Sequence, residues 1–214
     1  MKSFILLLYS ILICTILVGC DEEASIPSKN VSLQKAPTLK LGLIAPLSGP
    51  DKVWGENALS GIKTAIELEP LLINGGTIEL ITKDDKNQPE LTREAFIKLV
   101  TEENVVAVLL MSNSECVLNL VQIADEYETP ILALSSTHPD ITKSNEYISQ
   151  LLFDDYFQAS VAALYVMDEL FVDRVGVVID EQNPHSHYLA KEFITKFTSI
   201  GGIVVEIDMV TDGT

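Results

Sequence analysis

The sequence predicts an α/β protein built on doubly wound parallel sheets, and two observations carry that expectation. From Leu39 onward, short apolar runs alternate with segments whose apolar residues recur at helical spacing, the pattern of parallel strands joined by crossover helices. Within that alternation, residues 105–111 are continuously apolar, the composition of a strand covered on both faces rather than one with a wet side.

The elements follow in order. Residues 39–46 read as an apolar strand, and Leu59, Ile62 and Ile66 then share one helical face. A strand at 78–82 precedes a helix marked by Phe96, Leu99 and Val100. The apolar run at 105–111 precedes a third helix marked by Val117, Leu120, Val121 and Ala124, and then comes a strand at 130–134. Residues 147–152, a helix running to Leu170, a strand at 175–179, a helix over 188–198 and a strand at 203–209 repeat the alternation. In such sheets ligands sit beyond the carboxyl ends of the strands. Three segments fall there: Leu47-Ser48-Gly49-Pro50 through Gly55, Met111-Ser112-Asn113-Ser114, and Ser135-Ser136-Thr137. Each alone is ordinary turn chemistry. Three on one sheet edge, all small or hydroxylated, predict a site for a compact polar ligand.

The amino-terminal end predicts export. Met1 and Lys2 precede an almost wholly apolar run, residues 4–18, too short to span a bilayer and followed by Asp21, Glu22 and Glu23. The run ends Leu17-Val18-Gly19-Cys20, which resembles a bacterial lipobox. Residues 1–19 are therefore expected to be a lipoprotein signal peptide, with Cys20 the lipidated first residue of the mature chain. Lipid chains contribute about 0.8 kcal/mol per buried CH₂, so two or more anchor firmly. Residues 20–37 hold that cysteine and a stretch rich in Ser, Lys, Asn, Gln and Pro, the composition of a flexible tether. Cys14 leaves with the signal and Cys20 carries lipid, so Cys116 is alone and reads as a small buried apolar residue.

Charge and missing motifs exclude several function classes. The 214 residues carry a formal charge of −17, and loss of residues 1–19 removes only Lys2. Nucleic acid is not an expected partner of so acidic a chain. No G-x-G-x-x-G follows the first strand, and no P-loop or G-x-S-x-G elbow occurs. His185 and His187 lie two apart in an expected loop with no further metal ligands nearby, so no metal and no cofactor are expected. Asp84 and Asp85 lead through Lys86-Asn87-Gln88-Pro89 into a helix and are expected to cap it. No nucleophile or base stands with its partners, so the chain does not read as an enzyme.

From Leu39 on, the chain resembles the leucine/isoleucine/valine-binding protein family of ABC importers, which has the type I periplasmic-binding fold. The resemblance rests on Ile44-Ala45-Pro46-Leu47-Ser48-Gly49-Pro50, Trp54-Gly55 and Gly61-Ile62-Lys63-Thr64-Ala65. It continues in Asp84-Asp85 with Pro89, Met111-Ser112-Asn113-Ser114, and Thr129-Pro130 through Ser135-Ser136-Thr137. Phe153-Asp154-Asp155 with Gln158 and Pro184-His185-Ser186 with Leu189-Ala190 complete it. It implies a clamshell of two lobes, here 38–148 and an incomplete 149–214, closing over an amino acid or similar small polar molecule. It also implies roles. Ser114, or Ser112 if the loop is shifted, would bond a ligand carboxylate. Ser135 and Thr137 would bond carboxylate and amino group, and Trp54 would pack on the ligand side chain. His185 stands where the family has a tyrosine. Ser112-Asn113-Ser114-Glu115 also has the form of a capping box, and a carboxylate at Glu115 suits a cationic or neutral ligand better than an anionic one. The resemblance implies delivery of the ligand to an ABC permease from the cell envelope, either the periplasmic side of the inner membrane or the outer face of the cell membrane. A ligand sensor signalling to a receptor or kinase uses the same clamshell. Because the family runs longer, the 214 residues read as part of a larger protein, or as the non-functional product of a broken gene.

Overall fold

The computed structural model describes residues 37–143 and 145–211. The signal segment, Cys20 and almost all of the tether lie outside the described residues.

Five strands form the first sheet: β1 (Thr38–Ala45), β2 (Thr77–Asp84), β3 (Ala107–Leu110), β4 (Ile131–Ala133) and β5 (Ile148–Gln150). Their order is β2-β1-β3-β4-β5 and every pairing is parallel, as the alternation predicted. Consecutive residues Leu43, Ile44 and Ala45 of β1 are all fully buried. Side chains alternate between the two faces of a strand, so both faces here must be covered.

Helices supply that cover. α1 (Lys52–Leu68) is largely exposed, burying Gly55 and partly burying Leu59, Ile62 and Ile66, and α2 (Pro89–Thr101) sends Phe96 and Leu99 fully into the core. The third helix is not continuous. It divides into α3 (Ser114–Leu118) and α4 (Val121–Tyr127), with Asn119 and Leu120 between them. Both pieces still bury the expected face, Val117, Leu120 and Ala124, because Leu120 continues the apolar stripe through the break. A single turn, α5 (Asp140–Lys143), closes over the end of the core with Ile141. Phe96 meets Tyr127 edge-to-face, with ring centroids 6.3 Å apart. Fully burying one such side chain is worth about 1.5–3 kcal/mol, so this cluster is the main source of stability.

The second sheet holds β6 (Arg174–Asp180) and β7 (Ile203–Val210), again parallel. α6 (Asp155–Leu164) ends in a π-helical turn at Tyr165–Glu169, so the α-helix expected to reach Leu170 stops short. α7 (Pro184–Ser199) begins four residues before the expected start at 188. Asn183 is the reason. Its side chain accepts from the amides of His185 and Ser186, and Pro184 occupies the first turn, where its missing N–H costs nothing. His185 and His187 are thus helical, not in a loop. The first sheet runs through Gln150. Val178, Val205, Ile207 and Met209 remain exposed on the two-stranded sheet. No helix among the described residues is long and apolar enough to cross a membrane.

Two glycines of α1 make opposite predictions. A Cβ on Gly55 would lie 2.1 Å from the Pro46 carbonyl oxygen, so α1 docks on the β1 loop only because that side chain is absent. A Cβ on Gly61 would meet nothing within 4 Å. Alanine is the better helix former by about 1 kcal/mol. Gly61→Ala is therefore expected to raise the urea midpoint, and Gly55→Ala to lower it despite the same propensity gain.

Candidate ligand-binding site

The site begins with two carboxylates at the end of β2. Asp84 accepts from the Leu47 amide at 2.9 Å, from the Ser48 hydroxyl and from the Lys86 amide, which fixes the β1 loop. Desolvation works to raise the pKa of this exposed side chain, but these donors favour the ionised form and hold it below the usual carboxylate value. Asp85 is fully buried. It accepts from the Asn87 amide at 3.0 Å, from the Thr92 hydroxyl of α2 at 2.7 Å and from the Ser112 hydroxyl of the β3 loop. The expected capping role is overturned: Gln88 precedes α2 without a side-chain cap, and the two aspartates tie neighbouring loops instead. Asn87 extends the tie, donating to Asp51 and accepting from the Asn113 amide.

The ties continue across the sheet. The Ser112 carbonyl accepts from both Ser135 and Ser136 hydroxyls of the β4 loop, at 3.1 and 2.7 Å. The Ser114 hydroxyl accepts from the amides of Thr137 and His138, each at 3.3 Å. Gln150 of β5 donates to the carbonyls of Ser136 and His138. The capping box expected at 112–115 is not formed. Asn113 caps α3 by accepting from the Cys116 amide at 3.0 Å, because Ser112 is already engaged by Asp85. Burial pushes the Cys116 thiol up to about 11, which leaves it protonated and unreactive at neutral pH.

These loops form one wall of a cleft of about 690 Å³. Ser114, Glu115, Ser135 and Thr137 line it from the first sheet, and Asp155, Asp180, Asn183 and His185 line it from the second. Four of the residues singled out in the sequence, Ser114, Ser135, Thr137 and His185, therefore share one cleft. The other two are elsewhere. Ser112 is buried with its hydroxyl bonded to Asp85. Trp54 was expected in a loop but belongs to the first turn of α1, where its amide reaches the Asp51 carbonyl. It is 64% exposed and outside the cleft lining. A neighbouring groove of about 710 Å³ along α7 contains Tyr188, Lys191 and Ile194 but none of the expected ligand-binding groups.

Sequence reasoning missed Asp155. It opens α6 directly after the cap Asp154, whose side chain accepts from the Phe157 amide, and its own amide donates to the Thr137 carbonyl at 2.9 Å. Its side chain is 1% exposed. One oxygen, Oδ2, lies 3.1 Å from His185 Nδ1. An ionised carboxylate can only accept, so with Asp155 ionised the donor in this bond is Nδ1–H. The signal available in the sequence was an unexplained second aspartate after a cap. Among the described residues, no group of three His, Cys, Asp or Glu is placed to hold a metal ion.

Comparison with known proteins gives this geometry a family. The periplasmic binding protein model matches residues 38–214. A Leu/Ile/Val-binding protein homolog of Brucella melitensis is 27% identical over 178 residues, 82% of this chain and 48% of that protein. The crystal structure of a leucine-binding protein, LivK, from Thermotoga maritima superposes with a TM-score of 0.71 at 28% identity, over 81% of this chain and 48% of that one. LivJ from Streptococcus pneumoniae, solved with isoleucine, gives 0.70 at 25% identity, over 83% and 51%. A solute-binding protein of Rhodopseudomonas palustris, solved with 3,4-dihydroxybenzoic acid, gives 0.74 at 22% identity and shares the fold. The chain spans about half the length of the curated relatives it matches. The extent of the family match and the agreement of the fold place this chain in the periplasmic binding protein family.

Proposed function

We propose that this chain is the solute-binding component of an ABC importer, holding an amino acid or similar small polar molecule between two lobes and catalysing nothing. The observation that carries the reading is the convergence of Ser114, Ser135 and Thr137 with Asn183 and His185 around one cleft. Relatives named for leucine, isoleucine and valine support the choice of a small amine-bearing solute. The first lobe then comprises the five-stranded sheet and its helices, and the second the part that follows Gln150. Ser114 faces the ligand, since the Ser112 hydroxyl is buried against Asp85. Cys20 carries lipid and the segment to residue 37 tethers the domain to the membrane. There it delivers its ligand to a permease, from the periplasmic side of the inner membrane or the outer face of the cell membrane.

Two measurements test this. Calorimetry against a panel of amino acids and amines identifies a ligand. Ser114→Ala is then expected to weaken its binding about two- to tenfold, the range of one neutral hydrogen bond. Ser112→Ala is expected to lower the unfolding midpoint and leave affinity nearly unchanged. Equal loss of affinity in both variants, or no ligand in the panel, contradicts the reading. Separately, Cys20→Ser is expected to move the protein from the membrane fraction to the soluble fraction, or to leave it unprocessed. Normal processing and anchoring of that variant contradict lipidation at Cys20.

A further inference from the structure

We infer that Gln150 is a positioning residue for the ligand: it fastens the serine-bearing loop after β4 to the crossover that leads into α6, so that residues 135–138 and 150–155 behave as one unit. The inference rests on the cleft being a ligand site and names the side chain that holds two of its groups in place. β4 ends at Ala133, and its ladder with β5 ends there too, opposite Gln150. Beyond that point no strand orders the loop, yet three of its carbonyls are engaged. Those of Ser136 and His138 both accept from the Gln150 carboxamide nitrogen, at 3.1 Å each. That of Thr137, between them, accepts from the Asp155 amide at 2.9 Å. Three consecutive carbonyls are thus bonded to the crossover.

The chemistry of a carboxamide suits this position. Its nitrogen carries two donors, one for each carbonyl, and its oxygen accepts from the Thr142 hydroxyl of α5 at 3.4 Å. Only this orientation of the amide satisfies all three contacts. Gln150 shares a strand face with buried Ile148, two residues earlier, whereas Ser149 between them is exposed on the other face. On its far side the crossover is tied to α6. The Gln158 side chain donates to the Phe153 carbonyl at 2.9 Å, and Asp154 caps the helix. Hydrogen bonds therefore run from the start of α6 and the end of β5 to both sides of Thr137. A displacement of α6 against the first sheet shifts Ser135 and Thr137, which line the cleft, and loss of the Gln150 donors frees the loop from the crossover.

The test compares the full chain with Gln150→Met, which keeps the length of the side chain and removes its donors, and with Ser149→Ala as the control. Amide hydrogen exchange followed by NMR needs no ligand. Gln150→Met is expected to speed exchange about tenfold at Thr137, His138 and Asp155, the scale of one or two neutral hydrogen bonds, and to leave Val108 and Met111 in the sheet unchanged. Unchanged rates at the three loop and crossover amides, or equal acceleration at Val108 and Met111, overturn the inference. Calorimetry with isoleucine and the wider amino-acid panel supplies the functional arm. Gln150→Met is expected to weaken binding about two- to tenfold, and Ser149→Ala to leave it unchanged. Full affinity in Gln150→Met overturns the positioning role while leaving the solute-binding reading intact, and no binding of the panel by the wild type overturns both. Should Gln150→Met fail to fold, the wild type still decides: the Gln150 side-chain amide protons are expected to exchange at least tenfold more slowly than those of exposed Gln122, and equal rates overturn the inference.

Discussion

Two adjacent carboxylates at the end of one strand hold the working edge of this protein in register. Asp84 fastens the β1 loop, and Asp85 fastens the turn after β2, the start of α2 and the β3 loop. From Ser112 and Ser114 the bonds pass to the β4 loop, and from there to Gln150 on β5. Loops on a sheet edge would otherwise move independently, since their backbones lack the ladder that orders the strands. Here each loop is bonded to the next. The arrangement explains why small hydroxylated residues gather on this edge: a serine reaches a neighbouring carbonyl or carboxylate without filling the cleft it borders. It also separates two kinds of serine. Ser112 is a structural link whose burial leaves nothing to offer a ligand, and Ser114 is both a link and part of the cleft wall.

The second wall is built by different means. Two helix starts, those of α6 and α7, face the serine loops, and each is set by a capping side chain, Asp154 or Asn183. The caps position Asp155 and His185 one or two residues later, where the two side chains meet. Asp155 lies in the first turn of its helix, where the backbone dipole favours a negative charge. The cleft therefore carries carboxylates on both sides, Glu115 on one and Asp155 and Asp180 on the other.

Much of the fold was legible in the sequence because strand–helix alternation and a continuously apolar strand are robust consequences of burying a sheet on both faces. Leu43, Ile44 and Ala45, all buried in succession, are that consequence in the structure. What was not legible were choices between partners for a single polar side chain. Asp84 and Asp85 precede a helix and read as caps, yet besides local bonds they reach Leu47, Ser48 and Ser112 far along the chain, and sequence spacing carries no record of such contacts. Trp54 follows a turn and reads as a loop residue, but the helix starts two residues earlier at Lys52. The opposite error occurred at His185, where Asn183-Pro184 is a helix-start signal that the loop reading passed over. Nothing in the sequence gives Asp155 a role, because what distinguishes it is having one oxygen bonded and one not, which only three dimensions reveal.

The central claim is that the serine loops and the paired starts of α6 and α7 form one ligand site. Amide chemical-shift mapping tests it most directly, using nitrogen-labelled protein titrated with the ligand found in a panel of amino acids and amines. The account predicts shifts concentrated at Asn113–Glu115, Ser135–His138, Asp155 and Asn183–His185, with little change at Ile194 and Thr195 in the neighbouring groove. Shifts confined to that groove, or spread over residues outside the cleft, would contradict it.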